Sequence, residues 1–341
     1  MAVYTQVSFD EASLLLQRLR LGQLQSMEGC SGGIENTNFF VTTDSGAYVL
    51  TLFERLSAQQ LPFYLRLMKY LAQSGIPVPE PAADNTGELL YTVSGKPATV
   101  VNRLKGKSEL DPTPAHCASV GLWLAKMHRV GREFDLHQPN LRALGWWNDT
   151  VPVILPYLDA AQTSLIQSEL AYQNHVAGSP MYAALPKGAI HADLFRDNVM
   201  FTPAQTAQTE TASPQMTGFF DFYFAGVDAW VFDVAVCLND WCVDQATGAP
   251  DVPRTAAFIA AYESVRSFTQ AEHNMLPAML RAAALRFWIS RLWDLHLPRE
   301  ASVLKAHDPT HFERVLRQRL ILGKTEIPAS SDIQLATIAP P

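Results

Sequence analysis

Apolar residues recur along this chain with two periods, and the change from one to the other divides it. Ser8-Phe9-Asp10-Glu11 followed by Leu14, Leu15, Leu16 and Leu19 predicts a capped helix that stops at Gly22. Strict alternation then takes over in Phe39-Phe40-Val41-Thr42-Thr43 and Tyr48-Val49-Leu50-Thr51-Leu52-Phe53, two strands joined by a turn at Asp44-Ser45-Gly46. A second strand pair runs from Leu89 to Val93 and from Ala98 to Leu104, with its turn at Ser94-Gly95-Lys96. Between the pairs, Leu61, Tyr64, Leu65, Met68 and Leu71 predict a helix over 61–73 ending at Gly75. Ile76-Pro77-Val78-Pro79-Glu80-Pro81 must be extended, because each proline disfavours helix in the residue before it. From Thr113 the period is helical, with Val120, Leu124 and Met127 on one face. Further helices are expected over 151–172, with a break at Pro156, over 256–265 and over 276–295. The pattern predicts an α+β, bilobal chain: a small β-rich lobe over 1–101, a larger, mainly helical lobe over 102–323 and a loosely held tail over 324–341. A cleft between the lobes is the expected place for a ligand.

The helical part is interrupted once by short apolar runs of strand character, and the polar residues between them carry the chemistry. Gly188-Ala189-Ile190 and Val199-Met200-Phe201 flank His191-Ala192-Asp193, with Asn198 five residues beyond the Asp, the spacing of a kinase catalytic loop. Gly218-Phe219-Phe220 then leads to Asp221. Phosphoryl transfer to a hydroxyl needs one carboxylate to orient the hydroxyl and take its proton, and oxygen ligands to hold Mg²⁺ against nucleotide phosphates. Asp193 fits the first role; Asn198 and Asp221 fit the second. The polar run from Thr202 to Gln215 is read as a mobile surface loop joining two strands of a hairpin. Asp233, near the start of a helix over Trp230-Val231-Phe232-Asp233-Val234, is read as tying down that loop, with substrate contact as the alternative.

Composition narrows the partner. The 341 residues are 48% hydrophobic and 17% charged, enough apolar material for two lobes with cores. A net charge of -7 and the absence of a long Lys/Arg cluster speak against a nucleic-acid or anionic-membrane surface and for a small molecule. No apolar stretch approaches bilayer-spanning length, and Met1 to Phe9 lacks a signal-peptide pattern, so the expected compartment is the cytoplasm. Cys30, Cys117, Cys237 and Cys242 form no C-x-x-C pair and are expected to be inert thiols.

Other residues admit two readings each. Gly32 and Gly33, in Gly29-Cys30-Ser31-Gly32-Gly33, belong either to an ordinary Gly-rich hairpin or to a turn whose backbone N–H groups approach phosphates. His128 is read as a satisfied structural histidine rather than a ligand. Trp146 and Trp147 are adjacent and cannot both enter one helical core face, so one of them, Trp147, is a candidate for lining a pocket. Arg291 and Asp294 share a helix face, where they either pair with each other or hold the carboxylate and ammonium of an amino acid.

Taken with Gly226 and Asp233-Val234-Ala235, the Ile190-to-Asn198 and Phe220-Asp221-Phe222 pieces resemble the aminoglycoside phosphotransferase and choline kinase superfamily, which has a protein-kinase-like fold. Gly33-Ile34-Glu35-Asn36-Thr37-Asn38-Phe39, Tyr48 to Glu54, Gly75-Ile76-Pro77-Val78-Pro79 and Leu285 to Leu292 look like the bacterial homoserine kinases of that fold. The resemblance implies transfer of the ATP γ-phosphoryl group to the side-chain hydroxyl of L-homoserine, with Asp193 as base and Mg²⁺ at Asn198 and Asp221. It also implies Gly32, Gly33 and Asn36 over the phosphates and an adenine-binding hinge at Val101 and Asn102. Kinases of the same fold for choline, ethanolamine, a sugar or an aminoglycoside are the nearest alternatives, and a nucleotide-binding pseudokinase is a further one; Arg142 or Arg291 near Asp193 would favour an amino-acid carboxylate. One departure stands out: Thr51 occupies the strand position where the family brings a Lys to the phosphates, and the next helix has no obvious Glu partner around Pro62 and Phe63. Losing both charges is easier than losing one, since a lone buried charge would be uncompensated. Arg55 or Arg196 would then be candidate replacements. A second departure is Tyr223, where many relatives have Gly, which argues against a flexible switch at this segment.

Overall fold

The structure is a computed structural model that describes residues 5–30, 36–202, 214–297 and 307–322. Helix α1 (Phe9–Arg18) begins at a reciprocal cap: the Ser8 hydroxyl accepts from the Glu11 amide at 3.2 Å while the Glu11 carboxylate accepts from the Ser8 amide at 3.4 Å. Five antiparallel strands follow, β1 (Leu24–Gly29), β2 (Asn36–Thr43), β3 (Ala47–Phe53), β4 (Tyr91–Val93) and β5 (Lys96–Asn102), in the order β1-β2-β3-β5-β4. The two-residue turn Ser94-Gly95 has positive φ at both positions (49° and 75°), the backbone that matches strand twist in a tight hairpin. Leu89 and Leu90 fall outside the strand predicted for them, because both of their amides bond to the Glu88 carboxylate at 3.3 Å instead of to a neighbouring strand.

Alternation gives this sheet two different faces. Phe39, Val41, Leu50, Leu52 and Val100 pack with Leu15 and Leu16 of α1 in a small core. The opposite face carries Asn38, Thr51 and Thr99 in register, with Val49 beside Val101. Phe53 and Val101 on that face join the main core, which also contains α2 (Leu61–Gln73). The second face therefore looks toward the large lobe.

Beyond Asn102 the chain is mainly helical: α3 (Pro114–Gly131), α4 (Leu144–Ile154), α5 (Ala160–Ala177), α6 (Pro180–Ala183), α7 (Trp230–Trp241), α8 (Val252–Glu263), α9 (Gln270–His296) and α10 (Thr310–Leu322). The break expected at Pro156 is a single 3-10 turn, Leu155–Tyr157, after which Asp159 caps α5. Two small antiparallel strand pairs interrupt the helices, β6 (Lys187–Ile190) with β9 (Gly226–Ala229) and, as a hairpin, β7 (Val199–Phe201) with β8 (Met216–Phe219). The hairpin inferred around the polar run is thus present, while its loop over 203–213 lies outside the described residues, as do Gly32, Gly33 and the tail from 323. Cys117, Cys237 and Cys242 are buried free thiols. Among the described residues no helix is long and apolar enough to cross a membrane.

Candidate active site

Strand β6 ends at Ile190 and delivers His191, Ala192 and Asp193 into a loop that returns as β7. Ala192 has φ of 64°, a left-handed backbone that costs an alanine about 1–2 kcal/mol. Asp233, fully buried at the first turn of α7, offsets this strain. Its two carboxylate oxygens accept from the His191 and Ala192 amides, both at 2.8 Å, and His128 Nε2 donates to it at 3.0 Å. Asp233 thus ties down the loop, and His128 is a structural histidine whose Nδ1 meets the Tyr262 hydroxyl at 2.8 Å. Burial pushes Asp233 up, but the hydrogen bonds it accepts from His128 and the His191 backbone outweigh it and hold the carboxyl below its usual range. Burial pulls both histidines down, so each is neutral.

The loop is also sewn to the strand that carries the second carboxylate. His191 Nε2 donates to the Phe220 carbonyl at 2.9 Å, and the Phe220 amide donates to the Asn198 carbonyl at 3.0 Å. Neutral His191 then uses Nδ1 to accept from the Asp193 amide at 3.2 Å. Asn198 Nδ2 donates to the Asp193 carbonyl at 2.9 Å, which commits the amide nitrogen and leaves the amide oxygen as the ligand end. Asp221 follows β8 with φ of 68°. Asn198 and Asp221 offer hard oxygen donors, the ligand chemistry that Mg²⁺ takes when phosphates and water complete its shell.

Asp193 is raised well above the ordinary carboxylate range. Burial is the main cause, the nearby Arg286 cation opposes it, and the charges of Asp221, Asp197 and Asp240 add to it. A carboxylate held in this way is closer in proton affinity to an alcohol than an ordinary one is. Arg286 is the charged neighbour of Asp193 that sequence reasoning passed over. It lies 3% exposed on α9 with its guanidinium 5.0 Å from the Phe224 ring and 3.7 Å from Phe287.

Several candidates take other places. Arg196 is not a replacement for the strand lysine: its Nε bonds Asp240 at 3.1 Å, its Nη1 the Leu110 carbonyl at 2.8 Å and its Nη2 the Asp240 carbonyl, so it clamps the loop to α7. Thr51 is 5% exposed and donates to Asn38 Oδ1 at 2.7 Å across β2 and β3. Lys96, on the α1 side of the sheet, pairs with Glu54 at 3.1 Å. The space expected for a Lys–Glu pair is aromatic instead: Tyr223 meets Phe53 edge-on at 5.0 Å and Tyr64 of α2 at 6.0 Å. Asn36 opens β2 and Val101 is buried near the end of β5. Asn102 is exposed at the end of β5, its side chain accepting from the Glu80 amide at 2.6 Å. Arg291 donates to the Asp308 carbonyl at 3.0 Å and lies 4.4 Å from the Phe312 ring, while Asp294 is exposed on the same helix. Trp147 is buried beside a cavity of about 30 Å³, room for water but not for an amino acid, and its indole N–H donates to the Arg142 carbonyl at 2.6 Å.

Comparison with known proteins agrees with this arrangement. The homoserine kinase of Polaromonas naphthalenivorans is 61% identical over 320 residues, 94% of this chain and 98% of the relative. That of Ralstonia nicotianae is 56% identical over 94% of this chain and 96% of the relative, and that of Burkholderia multivorans 51% identical over 98% and 99%. Among solved structures, an amicoumacin kinase in complex with AMP-PNP, Ca²⁺ and Ami superposes with a TM-score of 0.64 at 17% identity, covering 93% of this chain and 94% of that one. A choline kinase from Cryptosporidium parvum gives 0.60 at 14%, covering 88% and 90%. Residues 26–268, from β1 through the catalytic loop to the segment before α9, match one family along their length, and the chain belongs to it: the phosphotransferase enzyme family.

Proposed function

We propose that this protein transfers the γ-phosphoryl group of ATP to the side-chain hydroxyl of L-homoserine, releasing ADP and O-phospho-L-homoserine, a step of threonine biosynthesis. The observation that carries the reading is near-full-length identity of 51–61% to several curated homoserine kinases, whereas the amicoumacin and choline kinases, at 17% and 14%, share the fold alone.

In this reading Asp193 accepts a hydrogen bond from the acceptor hydroxyl and takes its proton as the hydroxyl oxygen bonds to the γ-phosphorus and the bond to the β-phosphate oxygen breaks. The Asp233 bonds hold the loop backbone, so Asp193 meets the hydroxyl without reorganising. Asn198 and Asp221 would hold Mg²⁺, which when bound would supply charge neutralisation at the phosphate oxygens. The hinge of the two lobes lies at Val101 and Asn102, whose backbone meets adenine, and Asn36 lies toward the phosphates. Thr51 brings no charge to the phosphates, so the metal and backbone N–H groups carry their neutralisation.

The test is ADP release from Mg·ATP with L-homoserine, choline, ethanolamine, a sugar panel and kanamycin at equal concentration. Selective turnover of L-homoserine, with the product mass one phosphate heavier, supports the reading; preference for another acceptor overturns the substrate but keeps the chemistry.

A further inference from the structure

Resting on the reading of Asp193 as the base, we infer that Tyr262, Arg266 and Glu272 are positioning residues for the phosphoryl transfer: a chain of hydrogen bonds with a single direction runs from the cap of α9 through them to Asp233 and holds the catalytic loop in its strained form.

The chain begins where two helices approach closely. A Cβ at Gly121 of α3 would stand 2.3 Å from the Phe258 carbonyl of α8, so only glycine permits the approach. About two turns further along α3 stands His128, and about one turn beyond Phe258 stands Tyr262, its hydroxyl 2.8 Å from His128 Nδ1. Trp230, the first residue of α7, stacks on the His128 ring with centroids 5.8 Å apart, and the Arg266 guanidinium lies 4.7 Å from the same indole. Arg266 Nε donates to the Tyr262 oxygen at 2.9 Å, Nη1 donates to the Glu272 carboxylate at 3.0 Å, and Nη2 donates to its other oxygen. Glu272, in the first turn of α9, also accepts from the Thr269 amide at 2.9 Å as half of that helix's reciprocal cap.

Every step has one possible direction. The Asp233 carboxylate only accepts, so neutral His128 carries its proton on Nε2, and its Nδ1 must accept from Tyr262. Burial raises the pKa of the Tyr262 hydroxyl, which keeps that proton in place. Arginine only donates, so the Tyr262 oxygen accepts from Arg266. Bonds aligned in one sense polarise one another, and the far end of the chain grips the His191 and Ala192 amides. A buried ion pair such as Arg266 with Glu272 contributes little net stability beside apolar packing of the same volume. What it provides that apolar packing cannot is a fixed donor aimed at Tyr262. At the other end stands Ala192, left-handed at a φ of 64°, and the next residue is Asp193. A slackened chain lets Ala192 relax and carries Asp193 out of line. None of the three residues touches the reacting groups; they act through Asp233.

The experiment is a double-mutant cycle in the full-length protein with saturating Mg·ATP and L-homoserine. Tyr262→Phe keeps the ring and removes the hydroxyl; it should lower kcat at least about tenfold while both KM values stay within about threefold. Amide hydrogen exchange at His191 and Ala192, measured without substrates, should quicken at least about tenfold. Glycine takes the left-handed backbone without strain, so on an Ala192→Gly background Tyr262→Phe should cost less than about threefold. An equal loss on both backgrounds, or a lowered Tm with kcat and loop exchange of the folded protein unchanged, overturns the positioning role. Should Tyr262→Phe not fold, Glu272→Gln takes its place: it keeps an oxygen for the α9 cap, removes the charge that holds Arg266, and should follow the same pattern with a loss of at least about fivefold. Wild-type silence with L-homoserine would overturn the parent reading alone, because exchange at the loop still decides the chain: quickened exchange in the variant supports it and unchanged exchange overturns it.

Discussion

The sheet side and the loop side of the cleft handle charge in opposite ways. On the sheet side, the residues of β2, β3 and β5 that face the large lobe are neutral: Thr51 bonds Asn38, Thr99 lies in register with Thr51, and Val49, Phe53 and Val101 are apolar. The nearest lysine of the strands, Lys96, is spent on Glu54 on the far face. On the loop side, Asp193, Asp221, Asp197 and Asp240 crowd together with Arg196 and Arg286, and nearly every backbone turn is pinned by a side chain. The difference teaches where precision is held. The sheet supplies a neutral cover whose polar groups satisfy one another, while the loop side holds ionised groups in a fixed geometry at the cost of strained backbone and raised pKa values.

The comparison breaks most visibly at Asp193. Asp193→Asn should lower turnover by at least about a hundredfold, while ATP affinity by calorimetry changes by less than about threefold; near-normal turnover would remove it from the mechanism. Because burial raises its pKa, kcat/KM should fall as pH drops through a value above the ordinary carboxylate range, where Asp193 gains its proton. An acid limb near the value of a free aspartate would contradict the raised pKa. Asp221→Asn should cut turnover and shift the Mg²⁺ requirement upward by at least about tenfold, and an unchanged Mg²⁺ titration would sink its assignment as a ligand.

Smaller effects sharpen the contrast. Asp233→Asn should destabilise the fold by about 3 kcal/mol in denaturant unfolding, since one carboxamide oxygen cannot accept both amides and a His128 donor. Thr51→Lys places a charge in the neutral cover. It should lower Tm without nucleotide and give a larger rise on adding Mg·ATP than wild type shows. An equal rise would mean that the phosphates do not lie under Thr51. Thr51→Val should cost about 1 kcal/mol and leave turnover within about threefold, the loss of one hydrogen bond in a place with no charge to deliver.

Much of this is legible in the sequence alone. The spacing of Asp193, Asn198 and Asp221 is local, so it survives in the sequence, and α2 lies over 61–73 as its periodicity predicts. Asp233 was legible as a tie because it stands one turn into a helix just past the site. The rest was hidden by tertiary distance. Arg196 is consumed by Asp240, 44 residues away, and no local pattern records that engagement. Arg286 reads as one polar residue on an apolar helix; only packing shows that it is buried beside Asp193 and against Phe224. Its one advance signal was an arginine flanked by Leu285 and Phe287 on a face with no room for solvent. Arg291 and Trp147 were plausible by composition, but one is turned to α10 and the other to a water-sized cavity.

Tyr223 has a pharmacological consequence. Wedged between Phe53 and Tyr64, it locks the neighbouring Phe222 inward, where that ring is fully buried and 4.5 Å from His191. Inhibitors that work by occupying the space left when such a phenylalanine swings outward would first have to pull three aromatic rings apart. Compounds against this protein are therefore better aimed at the cleft as it stands, with Phe222 turned inward.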